Sequence, residues 1–375
     1  GRYHDHGGYV AWFENVSLSG RDAIIVDEAR CQIFATSAGT VSYLATNLQM
    51  LETWGDPPTP FADGDRFLWH EHFAGRGRFP NHGAVERQRE VEKLAVVTQF
   101  ASTSHFHDVT EFLGRLWLLQ KHGVFEEPDI QLLAPMDPRE KQGGGFITAG
   151  IKVMAGTLLD SKRVLHWNLV EGFPDARLRA KSLVYADYRT PARIGEEGGH
   201  CSTPRSVMTG VRETFVPALL GDAGETRART LVFITRKSGM RSTITGSTDL
   251  RRKLKEIAKD ASPPLVFETF DGGLSPERTA ALFGRARLVV GAHGGALSNM
   301  IFCPKDVEIF EIGFATPFSS HYRHLAAALG LRIHRLPLVV DNRGIGADDV
   351  RLADVKQASE IVAASLTSAV HHQEL

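Results

Sequence analysis

Cysteine is scarce in this chain. Cys31, Cys201 and Cys303 are the only three, and they lie far apart in sequence. They cannot build a disulfide framework, and at most one bridge could form. No Cys/His cluster has the spacing of a zinc site. Neither sign of charge is in excess: 43 Lys and Arg against 44 Asp and Glu leave a formal net charge of −1. That balance argues against a nucleic-acid-binding surface, which normally leaves a basic surplus. No apolar run reaches ~18 residues, so no stretch reads as a transmembrane helix. No signal peptide is visible at Gly1. The chain reads as a mature form, or as a piece from which an anchor was removed. There is no internal repeat.

What is present is ordinary soluble-protein composition. Of 375 residues, 42% are hydrophobic and 23% charged. At roughly 150 residues per domain the length suggests two domains. A polar, histidine-rich segment (1–21) offers Trp12 and Phe13 as docking points. Its one sequon, Asn15-Val16-Ser17, is slight support for a secretory origin. Short strands are expected at 22–28 and 31–35, followed by a Pro/Gly-rich stretch at 53–81. A strand at 92–100 leads into an amphipathic helix over 106–122. There Val109, Phe112, Leu113, Leu116 and Trp117 form one apolar face, and His107, Glu111 and Arg115 share another. Strands at 129–134, 163–167 and 182–188 and helices at 146–158 and 205–220 complete the first half.

From Thr230 the alternation becomes regular. Strands are expected at 231–235, 265–270, 288–290, 307–312 and 331–336. Helices are expected at 249–259, after Ser275-Pro276, at 319–329, and in a long closing stretch at 348–371. Serine suits the cap and proline the first turn of the second helix. Repeated strand–helix units imply a parallel sheet covered on both faces. The expected class is α/β: two facing Rossmann-like domains, 1–222 and 223–375, the second closed by a long C-terminal helix. Nucleotides bind such sheets at the carboxyl ends of strands.

The most informative stretch is 287–314, RLVVGAHGGALSNMIFCPKDVEIFEIGF. It reads as strand, glycine turn, short helix, strand. Glycines at such a turn let another group approach the backbone, and a helix start suits a phosphate. GAHGGALSNMIFCP resembles the G-x-H-G-A-G-L-x-N-x-x-F-x-P signature of glycosyltransferase family 61. That family includes xylan xylosyl- and arabinosyltransferases and the EGF-domain-specific O-GlcNAc transferase. Gly295-Ala296 stands where the family has Ala-Gly. Three further stretches are similar to the same family. Residues 104–116 resemble its Phe/Tyr-His-Trp-x-x-Asp/Glu-x-x-Pro-Arg-Leu motif, with Asp108 for Trp and Gly114 for Pro. LVFITRKSGMR (231–241) resembles its strand-Ser-Arg motif, with Thr235 for Ser. His321-Tyr322-Arg323-His324 through Gly330-Leu331 resembles its Tyr-rich helix and the Ala-Leu-Gly-Leu that follows.

The resemblance implies a GT-B architecture, inversion at the anomeric carbon, a UDP-sugar donor with xylose or GlcNAc favoured, and a polysaccharide or glycoprotein acceptor. It also implies the Golgi or ER lumen. No cofactor or metal is expected. Inverting transfer needs a base for the acceptor hydroxyl and stabilisation of the departing nucleotide diphosphate. Glu111 matches the family's acidic position and is the first candidate base. His107, one turn earlier, is the second, and Asp108 is adjacent. The bland alternative is a surface Glu111–Arg115 pair. His105 is placed to orient the acceptor. His107 and Glu111 have helical metal-ligand spacing, but no third ligand is evident.

On the donor side, Arg236, Lys237 and Arg241 follow a strand and suit phosphate, or are solvated loop residues. His293 suits the diphosphate or the sugar, or satisfies turn carbonyls. Gly294 and Gly295 suit close approach or plain turn geometry. Asn299 suits the donor or the backbone. Glu311 suits sugar hydroxyls or a buried structural pair. Ser319 and Ser320 suit a phosphate or merely cap their helix. Asp63-Gly64-Asp65 has the form of a metal-binding Asp-x-Asp but reads better as a turn. Two rivals remain: a sugar-binding module of the same fold without a base, and a Rossmann oxidoreductase. The second is weakened because no G-x-G-x-x-G follows a strand.

Overall fold

A computed structural model of the chain describes residues 7–19, 24–27, 32–33, 67–68, 87–97, 105–136, 145–168, 176–188, 204–221, 228–235, 244–245, 247–312, 321–336, 338–340, 350–352 and 355–371. Cys31, Cys201, Asp63-Gly64-Asp65, Arg236, Lys237, Arg241, Ser319 and Ser320 lie outside them. The chain is mixed α/β and divides into two compact units, Gly1–Phe215 and Val216–Leu375.

The first unit is built on one eight-stranded sheet. Its strands are β1 (Tyr9–Ser19), β2 (Ile24–Asp27), β3 (Gln32–Ile33), β4 (Phe67–Leu68), β5 (Arg87–Val96), β6 (Ile130–Met136), β7 (Val164–Asn168) and β8 (Ala176–Asp187), in spatial order 4-3-2-1-8-5-6-7. Strands β8, β5, β6 and β7 run parallel and form the α/β core. β1 joins β8 antiparallel, and the short strands β2 to β4 continue that antiparallel edge. The sheet is therefore mixed, where strand–helix alternation alone implies a parallel one. β1 is also longer than the histidine-rich composition of 1–21 suggests. It pairs with β8 over nine register positions from Tyr9↔Asp187 to Leu18↔Leu178.

The helices of this unit are α1 (Leu113–Lys121), α2 (Phe146–Asp160) and α3 (Arg205–Leu220). α1 continues a single α turn at His105–His107 and a π-helical stretch at Asp108–Phe112. Packing here is close. A Cβ on Gly114 would come 3.1 Å from the Tyr188 ring and 3.1 Å from Val207. Glycine thus fits where the family pattern has proline, because Tyr188 occupies the space.

In the second unit β9 (Thr230–Ile234), β11 (Val266–Phe270), β12 (Ala286–Ala292), β13 (Glu308–Ile312) and β14 (Arg332–Leu336) form an all-parallel sheet in the order 11-9-12-13-14. A separate small sheet joins β10 (Ile244–Thr245), β15 (Leu338–Val340) and β16 (Val350–Leu352). The connecting helices are α4 (Ser247–Asp260), α5 (Pro276–Gly284) and α6 (His321–Leu329); α7 (Val355–His371) ends the series. β9 and β13 are buried at every position, as a sheet covered on both faces demands. Leu231, Phe233, Leu288, Val290 and Phe310 pack with Leu250 and Leu254 of α4 and Val362 of α7. Ser275 caps α5 by accepting from the Arg278 N–H at 3.3 Å, with Pro276 in the first turn. The long closing helix begins later than the sequence suggests, because Val350–Leu352 forms β16 instead.

Both units contain a switch point, where consecutive connections leave a strand toward opposite sides of the sheet. In the first it lies between β5 and β8, and in the second between β9 and β12. The close packing around α1 yields a direct test. A Cβ on Gly210 of α3 would lie 2.0 Å from the Trp117 ring. That ring cannot bend aside as an alkyl tip can. Gly210→Ala is expected to cost about 1–3 kcal/mol in urea unfolding, and an unchanged midpoint would contradict this packing.

Candidate functional site

The helix after β5 starts at the carboxyl end of that strand, beside β8. Its first turns carry His105, His107, Asp108 and Glu111. The π geometry is direct: the Leu113 N–H reaches back five residues to the Asp108 carbonyl. Such single π turns are often found at functional sites. Asp108, Thr110, Glu111 and Arg115 are all buried. Glu111 Oε1 lies 2.7 Å from His107 Nδ1. The glutamate side chain is 3% exposed and the histidine 14%. A carboxylate only accepts, so Nδ1–H donates to it, and Nε2 is left as the ring's other nitrogen.

This corrects the surface-pair alternative. Glu111 and Arg115 are both buried, and Arg115 Nη2 donates to Asp187 Oδ2 at 3.3 Å, with both of those side chains fully buried. The second face of the helix, with His107, Glu111 and Arg115, thus turns inward.

Asp187 ends β8 and organises the site from the sheet side. It accepts from the Tyr185 hydroxyl and from the Tyr188 N–H, both at 2.8 Å. The Arg115 guanidinium lies 5.1 Å from the Tyr185 ring centroid. The Tyr188 hydroxyl donates to the Thr110 carbonyl at 3.0 Å, within the π stretch. The Thr110 hydroxyl donates to the Phe106 carbonyl at 2.7 Å. Helix and sheet are thus pinned together around His107 and Glu111. The His105 ring packs against Phe146 of α2 at 4.5 Å.

The second unit repeats the motif in a different setting. His293 follows β12, and its N–H donates to the Ile312 carbonyl at 2.7 Å, extending the ladder to β13. Its Nδ1 lies 2.7 Å from Glu311 Oε1. The glutamate is 1% exposed and the histidine 15%. Glu311 thus stands in a buried pair with His293. The Tyr322 ring packs edge-on against His293 at 4.9 Å, and the His321 ring lies near-parallel at 6.4 Å. Gly294 has φ 157° and ψ 169°, a conformation essentially confined to glycine. A 3-10 helix, Gly295–Phe302, follows at once. Asn299 Nδ2 donates to the Ala296 carbonyl at 2.9 Å, so its amide serves the backbone. The Ser298 hydroxyl donates to the Gly295 carbonyl. At Gly291 a Cβ would fall 2.7 Å from Ile234, so glycine lets β12 lie close against the end of β9.

The structure therefore brings His107, Glu111 and Asp108 together in one unit, and His293, Gly294 and Glu311 in the other. Asp187, Tyr185, Tyr188, His321 and Tyr322 were not legible as site residues. For the last two, the family-like His321-Tyr322 stretch was the available signal. Among the described residues no group of three or more His, Cys, Asp or Glu side chains is placed to hold a metal ion, and no helix is long and apolar enough to cross a membrane. Removing Asp187 would leave the Arg115 charge buried against Tyr185. Asp187→Ala is expected to cost about 3–5 kcal/mol, measured by denaturant unfolding; a loss below about 1 kcal/mol would contradict the pinning role.

Comparison with known proteins adds the family. Among curated proteins nothing matches. Among solved structures, a lysine decarboxylase LdcF from Francisella novicida is similar over 38% of this chain and 18% of its own, at 12% identity and a TM-score of 0.25. Two flavo di-iron protein variants from Thermotoga maritima are similar over 60% of this chain and 51% of theirs, at 10% and 11% identity and a TM-score of 0.26. The chain thus spans at most about half the length of any of these three structures. The sequence model of Glycosyltransferase 61 matches residues 90–310, more than half of the chain and a span that includes His107, Glu111 and His293. The protein belongs to the glycosyltransferase 61 family.

Proposed function

We propose that the chain is an inverting, metal-independent glycosyltransferase that moves a sugar from a UDP-sugar to a hydroxyl of a polysaccharide or glycoprotein. The donor sugars favoured are xylose and GlcNAc, and the expected setting is the Golgi or ER lumen. The observation that carries this reading is the His107–Glu111 and His293–Glu311 couples, each joined through Nδ1 and set in a different α/β unit, within a chain of this family. The division of labour assigns residues 1–222 to the acceptor and base and 223–375 to the donor, in a GT-B arrangement.

The base assignment moves from Glu111 to His107. Glu111 is the more deeply buried partner, and one of its oxygens already accepts from the ring. A group that must reach an acceptor hydroxyl needs exposure, and of the two His107 has more. His107 Nε2 takes the hydroxyl proton as the acceptor oxygen attacks the anomeric carbon. That carbon's bond to the phosphate oxygen breaks, and the electron pair leaves with UDP. Glu111 holds the ring in the tautomer that leaves Nε2 able to accept, and its charge steadies the imidazolium that forms. Asp187, Arg115 and Tyr188 position this pair and touch no substrate.

On the donor side the growing charge falls on the diphosphate. A helix start and the His293 ring, held by Glu311, can meet it without a metal. Gly294 and Gly295 admit the diphosphate to the backbone. Arg236, Lys237, Arg241, Ser319 and Ser320 remain proposed donor contacts, and His105 a proposed acceptor-orienting residue.

Two measurements test this. His107→Ala is expected to lower transfer by about 10²–10⁴-fold while leaving the thermal stabilisation by UDP intact. Glu111→Gln should lower transfer less, because a neutral amide still accepts from Nδ1–H. Transfer indifferent to His107 would sink the base assignment, and UDP binding without transfer in the wild-type chain would favour an inactive sugar-binding module. The second measurement concerns UDP itself. Its stabilisation should survive EDTA, since a ligand bound only by the folded state raises stability, and His293→Ala should reduce it. Stabilisation that appears only with a divalent cation would contradict the metal-independent reading.

A further inference from the structure

A cavity of about 230 Å³ in the first unit is lined by Val10, Trp12, His122, Gly123, Val124 and Glu127, none of them a member of the His107–Glu111 pair. Trp12 is the notable member. Its side chain projects from β1, and the residue is 48% exposed, one of the few large apolar residues left open to water. Val124 is buried behind it, and Gly123, at φ 69°, turns the chain from α1 into the short 3-10 helix Val124–Glu126. Polar groups stand at the rim. Glu127 Oε2 accepts from Lys93 Nζ at 3.0 Å, which fixes the carboxylate. No interaction of Oε1 or of the His122 imidazole with another side chain is found among the described residues.

We infer that this cavity binds one neutral pyranose ring of the acceptor glycan, as a subsite remote from the reacting hydroxyl. A pyranose presents a face of C–H groups and a rim of hydroxyls. The indole offers a π face with negative potential to the C–H groups, while Glu127 accepts from hydroxyls and His122 donates or accepts. The volume falls below the roughly 300–1,000 Å³ of pockets for drug-sized ligands, which suits a single ring rather than a nucleotide sugar. Among the described residues no Lys or Arg lines the cavity, and Lys93 beside it is paired with Glu127, so a phosphate is not the match. Distance sets the role. The helix from His107 to His122 covers fifteen residues, about 22 Å at 1.5 Å per residue. A ring at Trp12 is therefore several sugars from one at His107, and the site serves long acceptors.

The inference rests on the transferase reading for its ligand class, and the test separates the two. The full chain is labelled with 5-fluorotryptophan, and Trp12→Phe identifies the Trp12 signal among the five tryptophans. Xylohexaose and chitohexaose are titrated by fluorine NMR, and UDP stabilisation is measured on the same samples. One of the two hexasaccharides is expected to shift the Trp12 signal. Trp12→Ala should weaken that binding about tenfold and Glu127→Gln less, both with the UDP response unchanged. Should Trp12→Ala fail to fold, Glu127→Gln still decides. A Trp12 signal unmoved by both sugars, or affinity unchanged in the variants, overturns the subsite. Stabilisation by UDP alongside that result leaves the transferase reading standing. A sugar-induced shift without any UDP response leaves the subsite standing and removes the donor reading.

Discussion

A buried carboxylate needs a partner, and in this protein two of them find the same one. Glu111 and Glu311 each lie almost wholly out of water, 2.7 Å from a histidine Nδ1. Leaving either charge unmatched would cost several kcal/mol. Pairing it with imidazole Nδ1 fixes the ring and its tautomer together. Much of the surrounding structure serves that constraint. In the first unit the π stretch, the Arg115–Asp187 bond and the Tyr188 hydroxyl hold the helix against β8. In the second, the β12–β13 ladder continues through the His293 N–H, and Tyr322 packs against the ring.

The same couple stands in different surroundings in the two places. His293 stands before a glycine turn and a helix start, where backbone N–H groups favour an anion. His107 sits at the start of a helix whose neighbouring polar groups are the buried Asp108, Thr110 and Glu111.

Much of the second unit was legible in the sequence because parallel strands there are short apolar runs bounded by glycine and proline. Ser275-Pro276 announced its helix by side-chain chemistry alone. The first unit was harder. β1 alternates exposed Trp12 and Glu14 with half-buried residues, so an edge-side strand looked like a polar segment. The partners of the polar row at 107, 111 and 115 were not legible for a physical reason. His107, Glu111 and Arg115 are evenly spaced, so the sequence cannot say which neighbour Glu111 meets. In the structure Glu111 meets His107, and Arg115 meets Asp187, 72 positions away in sequence. Glycine at 114 looked like a lost proline until the Tyr188 ring was seen to need the space. His293 and Glu311 were each legible, but not as a pair, because adjacent parallel strands bring them together across 18 positions.

The most direct test of the account is a crystal structure of the full chain with UDP bound. The account predicts the diphosphate at the turn formed by His293, Gly294 and Gly295, with a phosphate oxygen within hydrogen-bond reach of His293 Nε2. UDP seated instead against the His107–Glu111 pair, or held by a cation with His293 turned away, would contradict it.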